Sequence, residues 1–197
     1  MQSIVDQLIT EVDHGLRSLF TVPVSSRVNP SEHIDEATLS ASEQKKIVAL
    51  MRINHTGEVC AQALYRGQMS VAQDGKTFDM LSRSCIEESD HLSWTHQRLQ
   101  ELSGRASYLN PVWYFTSYFI GLFTAKHSDA ISLGFVEETE KQVGEHLAGH
   151  LQQLPVEDKR TAAILQQMQI DEARHGDHAH QAGAIALPFW LRAVMRV

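Results

Sequence analysis

Apolar positions recur every three to four residues along most of the chain, and no stretch alternates like a strand. Over residues 2–20, Ile4, Leu8, Val12, Leu16 and Leu19 share one stripe, which predicts an amphipathic helix packed by that stripe on the rest of the protein. Residues 21–41 hold Pro23, Pro30, several serines and few apolar side chains; they read as an extended connector, the least ordered internal stretch. A long helix is expected from Ser42 to about Gln73, where Asp74-Gly75 breaks it, and a second from Lys76 to Leu102, ended by Ser103-Gly104. A third begins at Ser128-Asp129 and runs to about Gln153. Pro155 with Glu157-Asp158 opens a fourth, which reaches Gly183. This divides the chain into residues 1–41, a helix and connector, and residues 42–197, an all-α domain.

Two segments depart from that rhythm. No charged residue lies between Arg105 and Lys126, and seven of the chain's fourteen aromatic residues fall there. A bilayer span needs about 20 apolar residues. Asn110-Pro111 interrupts this one, and its tyrosines and tryptophan suit the membrane–water boundary better than the lipid core. The prediction is an interfacial or substrate-channel segment, with Trp113, Tyr114, Tyr118, Phe119 and Phe123 in contact with lipid or ligand; an ordinary buried crossover is the alternative. The tail after Ala184 mixes Leu187, Phe189, Trp190 and Val194 with Arg192 and Arg196, a pattern that suits docking on an anionic membrane face or capping a bundle.

With 197 residues, 43% of them hydrophobic, the chain can bury a sizeable core. Its net charge of −7 gives no support to nucleic-acid binding. Cys60 and Cys85 are too few for a disulfide framework and read as reduced core residues in a cytosolic setting. The first 30 residues lack an apolar h-region and contain Asp6, Glu11 and Asp13, which argues against a secretory signal.

The chemistry sits on the four long helices. Glu88-Ser-Asp-His91 and Glu172-Ala-Arg-His175 are both Glu-x-x-His, and residues i and i+3 share a helix face, so each aims a carboxylate and an imidazole at one point. Glu58 lies 30 residues before Glu88, and Glu137 lies 35 before Glu172, each about one helix, a turn and the return. Glu138 and Glu140 are alternatives to Glu137 on the same helix. In chain order the set is Glu, Glu-x-x-His, Glu, Glu-x-x-His, the ligand order of ferritin-like di-iron and di-manganese bundles. Carboxylate and imidazole donors without thiolates suit iron or manganese rather than structural zinc. Glu11-Val-Asp-His14 repeats the tetrad without a partner and reads as a solvated helix face. Beside the ligands, His55, Tyr65, Asp171 and Asp177 are candidates to hydrogen-bond near the cluster, while His146, His150, His178 and His180 read as surface residues. Gly57, costing about 1 kcal/mol inside a helix, suggests a close helix approach at the metal level.

On Arg52-Ile-Asn-His55-Thr-Gly-Glu58, Glu87-Glu-Ser-Asp-His91, Asn110-Pro-Val-Trp113, Gly134-Phe-Val-Glu137-Glu138 and Asp171-Glu-Ala-Arg-His175, the chain resembles the demethoxyubiquinone hydroxylase family of ubiquinone biosynthesis from residue 45 onward. The resemblance implies a ferritin-like four-helix bundle carrying an N-terminal amphipathic helix and apolar crossover and C-terminal helices. It implies a monooxygenase that uses O₂ at two iron ions to hydroxylate the ring of a polyprenyl demethoxybenzoquinol. Glu58 and Glu137 would then be terminal ligands, Glu88 and Glu172 bridges, and His91 and His175 one nitrogen ligand each. It further implies peripheral attachment to the cytoplasmic face of the bacterial inner membrane, Trp190 included in the contact, and other ubiquinone-biosynthesis proteins as partners. No dinucleotide fingerprint is present, so electrons come from a nicotinamide nucleotide at an untemplated site, from a reductase, or from the quinol itself. Rival readings of the same ligands are a ferroxidase or iron-storage subunit and a manganese catalase.

Overall fold

The structure, a computed structural model, describes residues 3–196; Gln2 and the side chain of Ile4, part of the expected first helix, lie outside the described part. Among the described residues there are seven helices and no strand: α1 (Ile4–Phe20), α2 (Ala41–Met69), α3 (Gly75–Glu101), α4 (Asn110–His127), α5 (Asp129–Leu151), α6 (Lys159–Gln181) and α7 (Phe189–Met195). Local chemistry accounts for the boundaries. The Ser40 hydroxyl accepts from the Glu43 N–H while the Glu43 carboxylate accepts from the Ser40 N–H, a capping box that starts α2. Ser128 caps α5 by accepting from Ile131 N–H. Asp158, not Pro155, caps α6, so that helix starts at Lys159 and the proline lies in the preceding turn. Pro111 opens α4 instead of interrupting it, since a first-turn residue needs no N–H partner.

α2 and α3 form one hairpin and α5 and α6 the other; α4 crosses between them along α2. Two glycines set that close crossing. A Cβ on Gly67 would collide with the Tyr118 carbonyl of α4, and one on Gly121 with the Leu64 carbonyl of α2. The close approach expected at Gly57 is therefore about two to three turns further along; a Cβ at Gly57 would meet nothing within 4 Å, and nothing in the structure requires glycine there.

Two apolar clusters fill the bundle. One gathers Ile47, Met51, Trp94, Leu99, Leu147 and Met168, the other Tyr65, Leu81, Leu133, Val136 and Ala179. Each long helix contributes to both and carries an acid between its two contributions: Glu58 on α2, Glu88 on α3, Glu140 on α5, Glu172 on α6. The polar centre is thus sealed above and below by hydrocarbon.

The N-terminal region departs from expectation. α1 docks with Glu11, Gly15, Ser18 and Leu19 toward the bundle, and its apolar stripe points away: Leu8, Val12 and Leu16 are all more than half exposed. An ion pair of Arg66 with Glu11 and the packing of Gly15 on the Tyr114 ring select this rotation. Glu11 is therefore a docking residue and not part of a solvated face. The connector is firmly bonded as well. Ser26 N–H and Arg27 Nε donate to Asp90 (both 2.6 Å), Arg98 of α3 pairs with Glu36, and Arg160 of α6 reaches the Ile34 carbonyl.

Of the residues expected at a lipid or ligand surface, Trp113, Phe119, Phe123 and Trp190 are exposed, Tyr118 is half-buried, and Tyr114 is buried beneath α1. No helix among the described residues is long and apolar enough to cross a membrane. The segment before α7 caps the bundle: Ile185 N–H donates to the Ala130 carbonyl, and Gly134 admits the Ile185 backbone where a side chain would clash.

Candidate metal centre

Six side chains meet at the middle of the bundle, all of them buried. Glu58, Glu88, His91 and Glu172 each offer a ligand atom within 4.8 Å of the others, and so do Glu88, Glu140, Glu172 and His175. Glu88 and Glu172 belong to both groups, the arrangement of two adjacent cation positions sharing two carboxylates. His91 Nδ1 lies 3.2 Å from Glu88, 3.3 Å from Glu172 and 3.6 Å from Glu58. His175 Nδ1 lies 3.0 Å from Glu88 and 3.3 Å from Glu172.

The fourth carboxylate corrects the sequence reading. Glu140 occupies the cluster, and Glu137 is half-exposed on the outside of α5, with Oε1 3.1 Å from His180 Nδ1. The cause is helical phase. Leu133, Val136, Glu140 and Leu147 are buried on one face of α5, and Glu137 is one residue round from it. That stripe was visible in the sequence, as was the separation of Glu140 from Glu172, 172 − 140 = 32 residues against 30 for Glu58 and Glu88. Glu138 is buried away from the cluster and accepts from Gln142.

The outer ring nitrogens are held by a crossed pair of acids. His91 Nε2, on α3, is 3.0 Å from Asp171 of α6; His175 Nε2, on α6, is 2.9 Å from Glu87 of α3. Each acid immediately precedes the glutamate of one tetrad and orients the histidine of the other. A partner on Nε2 fixes the tautomer that leaves the Nδ1 lone pair facing the carboxylates, the requirement for a metal-ligating imidazole. Asp171 is also bonded by Arg27 Nη1 at 2.9 Å and Arg174 Nη2 at 2.7 Å; the Arg174 guanidinium reaches Glu87 too. Of these, only Asp171 was picked out from sequence. The repeated acid-Glu-x-x-His pattern could have revealed Glu87, whereas nothing local marks Arg27.

Other expected neighbours separate. The Tyr65 hydroxyl donates to Glu140 Oε1, so this tyrosine does touch the cluster. His55 belongs to neither ligand group; it faces Asn110 at 3.4 Å, and burial pushes its pKa down to about 4. Asp177 and His178 are exposed. His150 is buried with Nδ1 2.8 Å from Asn54 Oδ1, contrary to the expectation of a solvated residue, and burial with the neighbouring His146 lowers its pKa to about 4.

The electrostatics call for cations. Burial pushes the Glu58 and Glu140 carboxyls well above the usual range, with the charges of Glu88 and Glu172 adding to it. Burial also opposes ionisation of Glu88, yet His91 and His175 hold it well below. Burial works against protonating the imidazoles as well, but the surrounding carboxylates overcome it, raising His91 well above its ordinary value and His175 to about 11. A buried acid cluster of this kind draws in positive charge, as protons or as metal ions. Glu58 Oε2 and Glu88 Oε1 are buried without a hydrogen bond of acceptable geometry, the latter despite its 3.0 Å approach to His175. Orphaned carboxylate oxygens, shared bridging positions and oriented Nδ1 atoms together fit a pair of divalent ions held by oxygen and nitrogen donors.

Two clefts open on the flanks of the bundle, and none of the six cluster residues lines either. One, of about 410 Å³, is lined by Arg27, Pro30, His33, Trp94 and Gln167 under the connector; the other, of about 260 Å³, lies between α1, α2 and α3.

Comparison with known proteins agrees with this geometry. A family model described as ubiquinone biosynthesis protein COQ7 matches residues 45–197. Proteins named 3-demethoxyubiquinol 3-hydroxylase from Chromobacterium violaceum, Legionella pneumophila and Coxiella burnetii are 48%, 47% and 44% identical, over 98% of this chain in each case and 94%, 92% and 90% of the relatives.

Proposed function

Since the chain belongs to the ubiquinone biosynthesis protein COQ7 family, we propose that it hydroxylates the ring of a polyprenyl demethoxybenzoquinol with O₂ at a pair of iron ions. The observation that carries this reading is the convergence of two Glu-x-x-His tetrads with Glu58 and Glu140 in one buried cluster. In the balanced reaction a ring C–H becomes C–OH, the second oxygen atom leaves as water, and two electrons and two protons come from outside. Two iron ions, when bound, supply the O₂-reducing chemistry. Glu58, Glu88, Glu140, Glu172, His91 and His175 would hold them.

The chain's own residues shape what happens around them. Asp171 and Glu87 keep the two imidazoles in the ligating tautomer. Tyr65 fixes the carboxylate plane of Glu140 from a fully buried position. The apolar clusters on either side exclude bulk water, which protects an oxidising centre from side reactions. Electrons reach it from a nicotinamide nucleotide or a reductase.

A polyprenyl tail resides in lipid, so the protein works at a membrane surface, the cytoplasmic face of the inner membrane in a bacterium. Trp113, Phe119 and Phe123 on α4 and Trp190 on α7 give it exposed aromatic surface suited to the interface. Replacing Phe119 and Phe123 together by aspartate should reduce co-sedimentation with anionic vesicles; unchanged sedimentation refutes the contact.

The function is tested with anaerobically iron-loaded protein, a short-tailed demethoxyquinol, a reductant and labelled O₂. One labelled oxygen on the ring, detected by mass spectrometry, is the expected result. Oxygen consumption with unmodified quinol and accumulating ferric mineral would instead indicate a ferroxidase.

A further inference from the structure

Resting on that reading, we propose that the cleft between α1, α2 and α3 is the entrance by which the quinol ring reaches the centre, with α1 as its outer wall. Its floor is placed by helical spacing. Gln62 lies one turn after Glu58 on α2, Cys85 almost one turn before Glu88 on α3, and Ser89 next to Glu88. Gln62 Nε2 donates to the Ser89 hydroxyl and the Cys85 carbonyl, both at 2.8 Å, a small polar bridge on the lining that lies next to Glu88 and about a turn from Glu58 along the helices. The outer lining is His14 and Ser18 from α1 with Arg66 from α2 and Ser82 from α3. Hydroxyl, amide, imidazole and guanidinium groups beside the apolar side chains of Met69 and Ile86 suit a ring bearing oxygen substituents.

Size and surroundings agree. A volume of about 260 Å³ is below the ~300–1,000 Å³ of pockets that take whole drug-sized ligands, so it accommodates a substituted ring and not its tail. The tail must then leave past α1, and α1 presents Val12, Leu16 and Phe20 outward, more than half exposed. This explains why an amphipathic helix docks by its small and polar residues. Its polar side lines the path of the ring, and its apolar side is free for the tail and the lipid that carries it. The larger cleft under the connector lacks these features: Arg27 closes it off from the centre through ion pairs to Asp90 and Asp171.

The test narrows the cleft from two helices. Ser18→Trp on α1 and Ser82→Trp on α3 should each raise KM for a short-tailed demethoxyquinol by about tenfold or more while kcat, iron content and helical circular dichroism stay near those of the parent protein. In parallel, a short-tailed azidoquinone photolysed with the unaltered, iron-loaded protein should label peptides containing residues 14–18, 62–69 or 82–89. If the parent protein does not hydroxylate the quinol, the functional reading itself fails. If it does, and both folded tryptophan variants keep the parental KM, the entrance lies elsewhere. Should a variant not fold, the photolabel decides: labelling confined to residues 27–33 or 94 overturns the proposal.

Discussion

His91 and His175 present the same ring nitrogen to the same two carboxylates, but the acids behind them differ in setting. Asp171, behind His91, is completely buried and gripped by Arg27 from the connector, whose guanidinium also packs over Trp94 at 4.8 Å and bonds Asp90. Glu87, behind His175, is about a third exposed and pairs with an Arg174 side chain that is itself 41% exposed. Ion pairs at a wet surface contribute little, whereas breaking a buried one strands a charge. One motif has thus been built into a closed half, which depends on a strap of chain from outside the bundle, and a more open half, held by a partly exposed pair between α3 and α6. Equal ligand chemistry does not mean equal rigidity.

The comparison can be broken outright at the shared ligands. Glu172→Ala removes a donor from both groups and should abolish stoichiometric iron binding and hydroxylation; full iron content by metal analysis would remove the basis of the site. Next, Glu140→Gln should lose iron preferentially from the His175 half, while Glu137→Gln should bind and turn over like the parent. The reverse order would reinstate Glu137. The acids behind the histidines come third. Partners of ligating histidines are worth roughly 10–100-fold in metal affinity, and Asp171→Asn should fall at the upper end of that range and Glu87→Gln at the lower. Arg27→Gln should reproduce much of the Asp171→Asn loss in a double-mutant cycle, and simple additivity of the two would show that the strap does not act through Asp171.

The smallest effect is on acid stability of the metal-free protein. Burial opposes ionisation of Asp171, but His91 and Arg27 bring its pKa from 3.8 down to about 2. A depressed carboxylate pKa stabilises the fold at pH values above the unfolded value and loses that contribution as pH falls through the folded one, here between about 4 and 2. At about 1.4 kcal/mol per pKa unit the contribution is roughly 2 kcal/mol. Denaturant midpoints of the parent and of Asp171→Asn should therefore converge as the pH approaches 2. Glu87 is lowered too, against burial, by His175 and Arg174, and its exposure makes the corresponding convergence for Glu87→Gln smaller.

Much of this centre is legible in the sequence. Glu58, Glu88, His91, Glu172 and His175 stand at spacings that let one face of each helix present them to a common centre, and they do come together. Glu140 stands in the sequence only as an alternative to Glu137, which the spacing to Glu172 and the motif Gly134-Phe-Val-Glu137-Glu138 favour, although the apolar stripe of the helix is in phase with Glu140. A shift of three residues turns a side chain about 60° away from its starting direction, enough to move a carboxylate from the cluster to the rim. Glu11, His150 and the connector illustrate a second kind of limit. Their partners, Arg66, Asn54 and the acids on α3, are tens of residues away, and no local pattern encodes such pairings.

The sequence by itself determined the all-α architecture, the hairpin pairing of the long helices and the donor chemistry of the centre, because periodicity, capping and i, i+3 spacing are local properties of a helix. Only the tertiary structure decided which way α1 is rotated and how Arg27 closes one half of the site. Those outcomes depend on rotation and approach between helices. Gly15 against Tyr114, Gly67 against Tyr118 and the Arg66–Glu11 pair select among packings that the pattern along the chain leaves equally open.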